Sequence, residues 1–250
     1  MTAARAGRAP WRAGLARALL AVAARLPGVS RASWVLARAR PGVGRVRFGS
    51  LRRVEPLRPP VAPLGEGAVD RAYADAFLRE NAARVRGRVL VVGDLPAGVL
   101  PASAAVERVS PAEAFPDSAP APLGEDAYDC IVLCHVLHAV YDVWGAAAAA
   151  GRALRADGAL LLTAPGLAPM GADPAWCWSF TAGSVERLLA AALPGAELRV
   201  RSRGNVLAAA ALLQGLPAGG LRPAELERDD PLYPVVVTAL AVKPPAGRPA

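Results

Sequence analysis

Four apolar residues, Val89-Leu90-Val91-Val92, run without interruption and stop at Gly93-Asp94. A short β-branched and aliphatic run bounded by a turn signal is the mark of a strand buried on both faces. A strand of that kind needs helices above and below it, and so places the chain among open α/β sheets. In such sheets ligands bind beyond the carboxyl ends of the strands, and a glycine there lets backbone come close to another group. Gly93 and Asp94 are therefore the first candidate site residues.

The pattern recurs downstream. Asp129-Cys-Ile-Val-Leu-Cys134 and Ala159–Ala164 read as two more buried strands, with Ala196–Ser202 and Pro234–Val242 as the last two. Val106–Val109 is a weaker strand candidate. Helices are expected over 69–86, over Val143–Leu154, over Ala182–Leu193 behind an N-capping Thr181, and over Val206–Leu216. Gly158 is expected to close the alanine-rich helix in a left-handed cap. Arg199, Arg201 and Arg203 alternate onto one exposed face of their strand.

A chain of 250 residues suits one α/β domain with an appendage. The expected division is a basic extension over 1–60, a domain over 61–245 and a tail over 246–250. The extension has no acid before Glu55 and is dense in arginine. Trp11, Leu15, Leu19, Val22 and Leu26 recur at helical spacing, with Pro27-Gly28 ending the stripe. Such a helix either packs on the domain or lies on an anionic membrane surface. Residues 57–64, with their prolines, read as an extended linker.

The net charge is +8, yet Lys243 is the only lysine. Arginine and alanine enrichment along the whole chain is what GC-rich coding produces, so nucleic acid is not an expected partner. Cys130, Cys134 and Cys177 show no zinc-ligand spacing, and no metal is expected. Free thiols and the lack of any apolar run of roughly 18–20 residues fit a cytoplasmic location.

Three segments carry a family resemblance. "AVDRAYADAFLRENAARVRGRVL" resembles the helix and first strand of class I S-adenosylmethionine (SAM) methyltransferases, in a subgroup that often accompanies bacterial glycosyltransferases. "YDCIVLCHVLHAVYDV" resembles that family's fourth strand and following loop. "GRALRADGALLLTAPG" is similar nearly residue for residue to its fifth-strand approach. The resemblance spans about 48–244. It implies a Rossmann-like three-layer sandwich with a mostly parallel sheet, seven-stranded or missing its third strand, and an antiparallel last strand. It also implies SAM as cofactor and a glycan or small-molecule acceptor.

Carried over to this sequence, the resemblance implies cofactor contacts at Gly93, Asp94, Ser110, Asp117 and His135. His135 would be the catalytic base, with Asp142 as a weaker candidate. By position alone His138 reads as a helix-face residue. Trp176, Trp178 and Phe180 match a "W-x-F-T" segment on the substrate side. The first motif is degenerate: Val91 stands where the family has an acid, and only Gly93 and Gly98 remain of the glycine series. Losing such groups favours an alternative reading, a non-catalytic methyltransferase-fold partner or scaffold, with a glycosyltransferase as candidate partner.

Overall fold

The computed structural model describes residues 53–58, 67–117, 121–170 and 176–247. The expected N-terminal amphipathic helix and most of the linker lie outside the described residues.

The first helix, α1, covers Val69–Glu80 and buries Val69, Tyr73, Ala74, Phe77 and Leu78 on one stripe. A 3-10 turn, Ala82–Arg84, follows it, so the single helix expected over 69–86 is broken at Asn81. The Asn81 Nδ2 donates to the Phe77 carbonyl at 2.8 Å and satisfies an end-of-helix acceptor. Strand β1 is Arg88–Gly93, with all four residues of its apolar run buried. Strand β2 is Ala105–Val109. A short helix, α2 (Pro111–Ala114), then leads to β3, Tyr128–Cys134. Helix α3 (Val143–Ala153) is followed directly by β4 (Leu154–Pro165). Helix α4 (Ala182–Ala192), β5 (Glu197–Arg203), α5 (Val206–Leu213), α6 (Pro223–Glu227) and β6 (Val236–Val242) complete the chain.

The strands form one six-stranded sheet in the order β2-β1-β3-β4-β6-β5. β2, β1, β3 and β4 are parallel, and β6 runs antiparallel to both β4 and β5. This is a Rossmann-like α/β fold with an antiparallel last strand. The sheet has six strands and not seven: among the described residues nothing pairs with β2 on its outer side, where the third strand would lie.

Alternation along each strand divides the core in two. Leu90, Val92, Ile131, Leu133, Leu160 and Leu162 face α3 and α4. Val89, Val91, Cys130, Val132, Cys134 and Leu161 face α1. The alanines of α3 let it sit close to α4: a Cβ at Gly151 would run into the Ala192 carbonyl oxygen. Helix α5 packs Ala208, Ala209 and Leu212 with Val69 and Tyr73 of α1. The result is a three-layer sandwich.

One local expectation needs correction. The left-handed residue after α3 is Asp157 (φ 60°), not Gly158. Gly158 is required for a different reason, since a Cβ there would lie 2.7 Å from the Arg155 carbonyl. The connection from β1 to β2 over 94–104 contains no helix. Parallel neighbours are normally joined by a helical crossover; here Leu95, Val99, Leu100 and Ala104 are drawn onto the α1-side core instead.

Candidate functional site

Strand order reverses between β1 and β3, and the crevice beyond their carboxyl ends is the topological switch point of the sheet. Gly93 and Cys134 are register partners at that point. Gly93 has φ 88° and a Cβ on it would overlap the Cys134 carbonyl oxygen. The close approach that needs a glycine here is therefore made by the neighbouring strand. Asp94 follows, exposed at the rim.

His135, the residue after β3, takes the left-handed conformation at φ 51°. A non-glycine residue there stores backbone strain, and such residues gather at functional sites. Thr163 on β4 holds it. The His135 amide donates to the Thr163 carbonyl at 2.9 Å and to Thr163 Oγ1 at 3.1 Å. The His135 Nδ1 lies 2.8 Å from the same hydroxyl, which also reaches Cys134 Sγ at 3.5 Å. Where that hydroxyl donates to sulfur, the imidazole carries its proton on Nδ1 and Nε2 is an acceptor; where it donates to Nδ1, Nε2 carries the proton. Nε2 is buried and has no hydrogen-bond partner among the described residues.

Burial first, and then the positive neighbours His138 and Arg71, push the His135 pKa down from 6.5 to about 3. The ring is neutral at pH 7 but has little affinity for a proton. A general base works best with a pKa near the operating pH, so this imidazole is suited to accepting a hydrogen bond and not to taking up a proton. Asp142, the other base candidate, caps α3 and accepts from the Gly145 amide at 2.9 Å.

His138 is not on the face of an α-helix. It lies in a 3-10 turn over Leu137–Ala139 and is buried. Its ring stacks at 4.4 Å, tilted, on Trp176 and meets His135 edge-on at 6.4 Å. The His138 carbonyl accepts the Cys177 and Trp178 amides at 2.7 and 3.1 Å, which fastens the aromatic segment to the turn. The Trp178 indole N–H donates to Val140 and Tyr141 carbonyls at 2.9 and 3.2 Å, leaving its ring 40% exposed. Phe180 turns inward and joins the α3–α4 core. Of the three aromatics, Trp176 neighbours the histidines, Trp178 faces solvent and Phe180 supplies apolar volume.

The β2 side holds fewer free groups. The Ser110 hydroxyl accepts the Glu113 amide and the Glu113 carboxylate accepts the Ser110 amide, a capping box that starts α2. Hydrogen bonds from the Ser110 backbone amide and then from its side chain hold the Glu113 carboxyl below its ordinary value. Glu107 is engaged toward the amino half of the sheet, by Arg88 at 3.2 Å and Tyr128 at 3.0 Å. Asp117 is exposed on the loop beyond α2.

Sequence reasoning missed Thr163, Arg71 and Asp75. Thr163 is the one hydroxyl in an otherwise apolar strand end, a signal readable in "LLLTAP". Arg71 and Asp75 stand i, i+4 on α1 with Nε–Oδ1 2.7 Å, both about four-fifths buried. Their charges, with that of Asp94, act on the buried Cys134 thiol, which places them at the same edge. Burial is the larger influence and pushes that thiol up to about 11.

These residues fit the aminocarboxylate end of a SAM-like cofactor: a cation and carboxylates stand near the β1 and β3 ends. They do not fit its ribose, because among the described residues no uncommitted carboxylate ends β2. The motif position Val91 is 1% exposed inside the α1-side core. Among the described residues no group of three His, Cys, Asp or Glu is placed to hold a metal ion, and no helix is long and apolar enough to cross a membrane.

No family model matches the chain, and no curated protein matches it. Solved structures do. A SAM-dependent methyltransferase from Archaeoglobus fulgidus is similar at 11% identity and TM-score 0.42, over 69% of this chain and 94% of that one. One from Mesorhizobium loti is similar at 16% identity and TM-score 0.41, over 71% and 99%. The [4+2]-cyclase SpnF is similar at 16% identity and TM-score 0.43, over 71% and 81%.

Proposed function

We propose that this chain is a SAM-dependent methyltransferase acting on a small-molecule or glycan acceptor, with its site at the β1–β3 switch point. The observation that carries the reading is the strained, buried His135 at that point, its Nε2 unpartnered among the described residues, with the Arg71–Asp75 pair and Asp94 acting on the same strand end. When bound, the cofactor supplies an electrophilic methyl group. The chain's own residues would do the rest. Arg71 would take the cofactor's carboxylate and Asp94 its ammonium. Neutral His135 would accept a hydrogen bond through Nε2 and so orient an acceptor hydroxyl. The Trp176 and Trp178 rings would form an apolar wall that keeps water from the acceptor. Positioning alone supplies much of the rate in such a transfer, and fold by itself does not decide the reaction.

A second reading has its own observation. Val91 is sealed in the core and the connection over 94–104 packs apolar residues where a glycine-rich loop would open. That favours a methyltransferase-fold partner or scaffold protein, with a glycosyltransferase as the partner. Calorimetric titration with SAM separates the two. The enzyme reading expects saturable heat, with Asp94→Ala weakening binding by about 1.5–3 kcal/mol, the value of a charged hydrogen bond. Absence of heat for the wild-type protein selects the second reading.

A further inference from the structure

A second concavity lies away from the switch point, on the α1 face between α1, β5 and β6. It is a pocket of about 170 Å³, below the roughly 300–1,000 Å³ of a drug-sized site but sufficient for a single oxyanion group. Period-2 geometry on β5 brings Arg199, Arg201 and Arg203 to it side by side. Phe77 and Leu240 form its apolar wall, and Thr238 contributes its floor.

The three arginines differ in what they already hold. The Arg199 guanidinium is tied to Glu197 at 2.6 Å. Arg203 is 14% exposed, reaches Asp229 at 3.0 Å and Glu80 at 3.8 Å, and lies 5.9 Å over the Tyr73 ring. Arg201, between them, has no acidic partner among the described residues. Its register partner across the ladder is Thr238. Thr238 is 2% exposed and lines the cavity. A threonine side chain and a guanidinium with no acidic partner among the described residues thus converge on one small cavity. Among the described residues Glu80 is the only carboxylate lining it, and that carboxylate leans toward Arg203.

We propose that this groove binds a tetrahedral dianion, a phosphate or phosphate monoester, with Arg201 as the bidentate ligand and Thr238 as a neutral donor. Guanidinium is suited to such an ion because its fork matches two oxygens at once; Arg199 and Arg203 stay with their own carboxylates and leave Arg201 as the ligand.

The test is titration of the full chain with inorganic phosphate and, separately, with glucose 1-phosphate, at low ionic strength, followed by phosphorus NMR line width. The expected result is saturable binding of at least one probe. Arg201→Ala should weaken it at least tenfold and Arg201→Lys by less, because charge survives but the fork does not. Arg187→Ala, an exposed arginine on α4, should leave it unchanged. Tighter binding of the ester identifies a monoester site, and equal binding identifies a phosphate site. No saturation with either probe overturns the proposal. So does an Arg201→Ala protein that binds like the wild type, or an Arg187→Ala protein that loses as much, which would reduce the effect to overall charge. Circular dichroism of each variant confirms that the exposed substitutions leave the fold intact.

Discussion

Val91→Glu places a carboxyl at the position where the resembled family keeps its acid, and the structure determines what it would cost. The side chain is 1% exposed on the α1 face of β1. Its register partners are Val132 on β3 and Arg108 on β2, the latter exposed at the sheet edge. A carboxyl buried among valines is held protonated, with a pKa of about 8 against about 4.3 in the unfolded chain. The folded form then binds more protons than the unfolded one between those values, so stability falls as pH rises through that window. The loss is about 1.36 kcal/mol per pH unit: roughly 1 kcal/mol at pH 5 and about 4 at pH 7.5. For a domain of this size that difference moves Tm by about 6–12 °C between the two pH values. Thermal melts of wild type and variant at pH 5 and 7.5 measure it. A variant as stable as wild type at pH 7.5 would refute the reasoning, and a parallel melt with Arg108→Ala added would show whether that guanidinium had paired the charge. A variant that instead gained SAM heat would mean that the cavity of the family's first motif survives behind Val91.

Two further outcomes follow from buried titratable groups. His135, with its folded pKa lowered to about 3 from 6.5, binds its proton only when unfolded over that range, so its contribution to stability is present above pH 6.5 and is lost as pH falls toward 3. Between pH 6.5 and 5, urea midpoints should therefore fall more steeply for wild type than for His135→Asn, a residue that tolerates the left-handed backbone; equal slopes would show that another group carries the dependence. Burial raises Cys130 to about 12 and Cys134 to about 11, whereas Cys177 is exposed, so iodoacetamide at pH 8 should label Cys177 alone in the native protein and all three thiols in guanidinium, and native labelling of Cys130 would show β3 to be accessible.

The parts of the fold legible in the sequence are those where pattern and burial coincide. β1, β3 and β4 were readable because their residues are buried on both faces, which leaves a continuous apolar run. Thr181 as a helix cap was readable because its geometry is local: its hydroxyl takes the Ser184 amide at 3.1 Å. Ser110 shows the limit of the same logic. It was read as a cofactor contact, yet Ser-Pro-x-Glu is also a capping box with proline at the first helical position, and the helix it starts went unread. Gly93 carried a true signal for close approach but not the identity of what approaches. That is Cys134, 41 residues away in the chain, and pairing across such a distance is not written in either segment. His135, Thr163 and Arg71 come from three different elements, so their convergence is visible only once the sheet order is known.

Among the described residues β2 pairs on one side only, with β1, and four of its five residues are exposed. Without a crossover helix over 94–104, little apolar burial opposes its detachment. It is therefore a separate local-unfolding unit, with an opening free energy well below that of β1 and β3. Its amides should exchange with solvent through that opening long before the central strands do. A ligand that seats against β2 must first hold it closed, and closing it stabilises it by RT ln(1 + [L]/Kd). Slowed amide exchange in 105–109 would thus report occupancy of that rim directly, whether or not any chemistry follows.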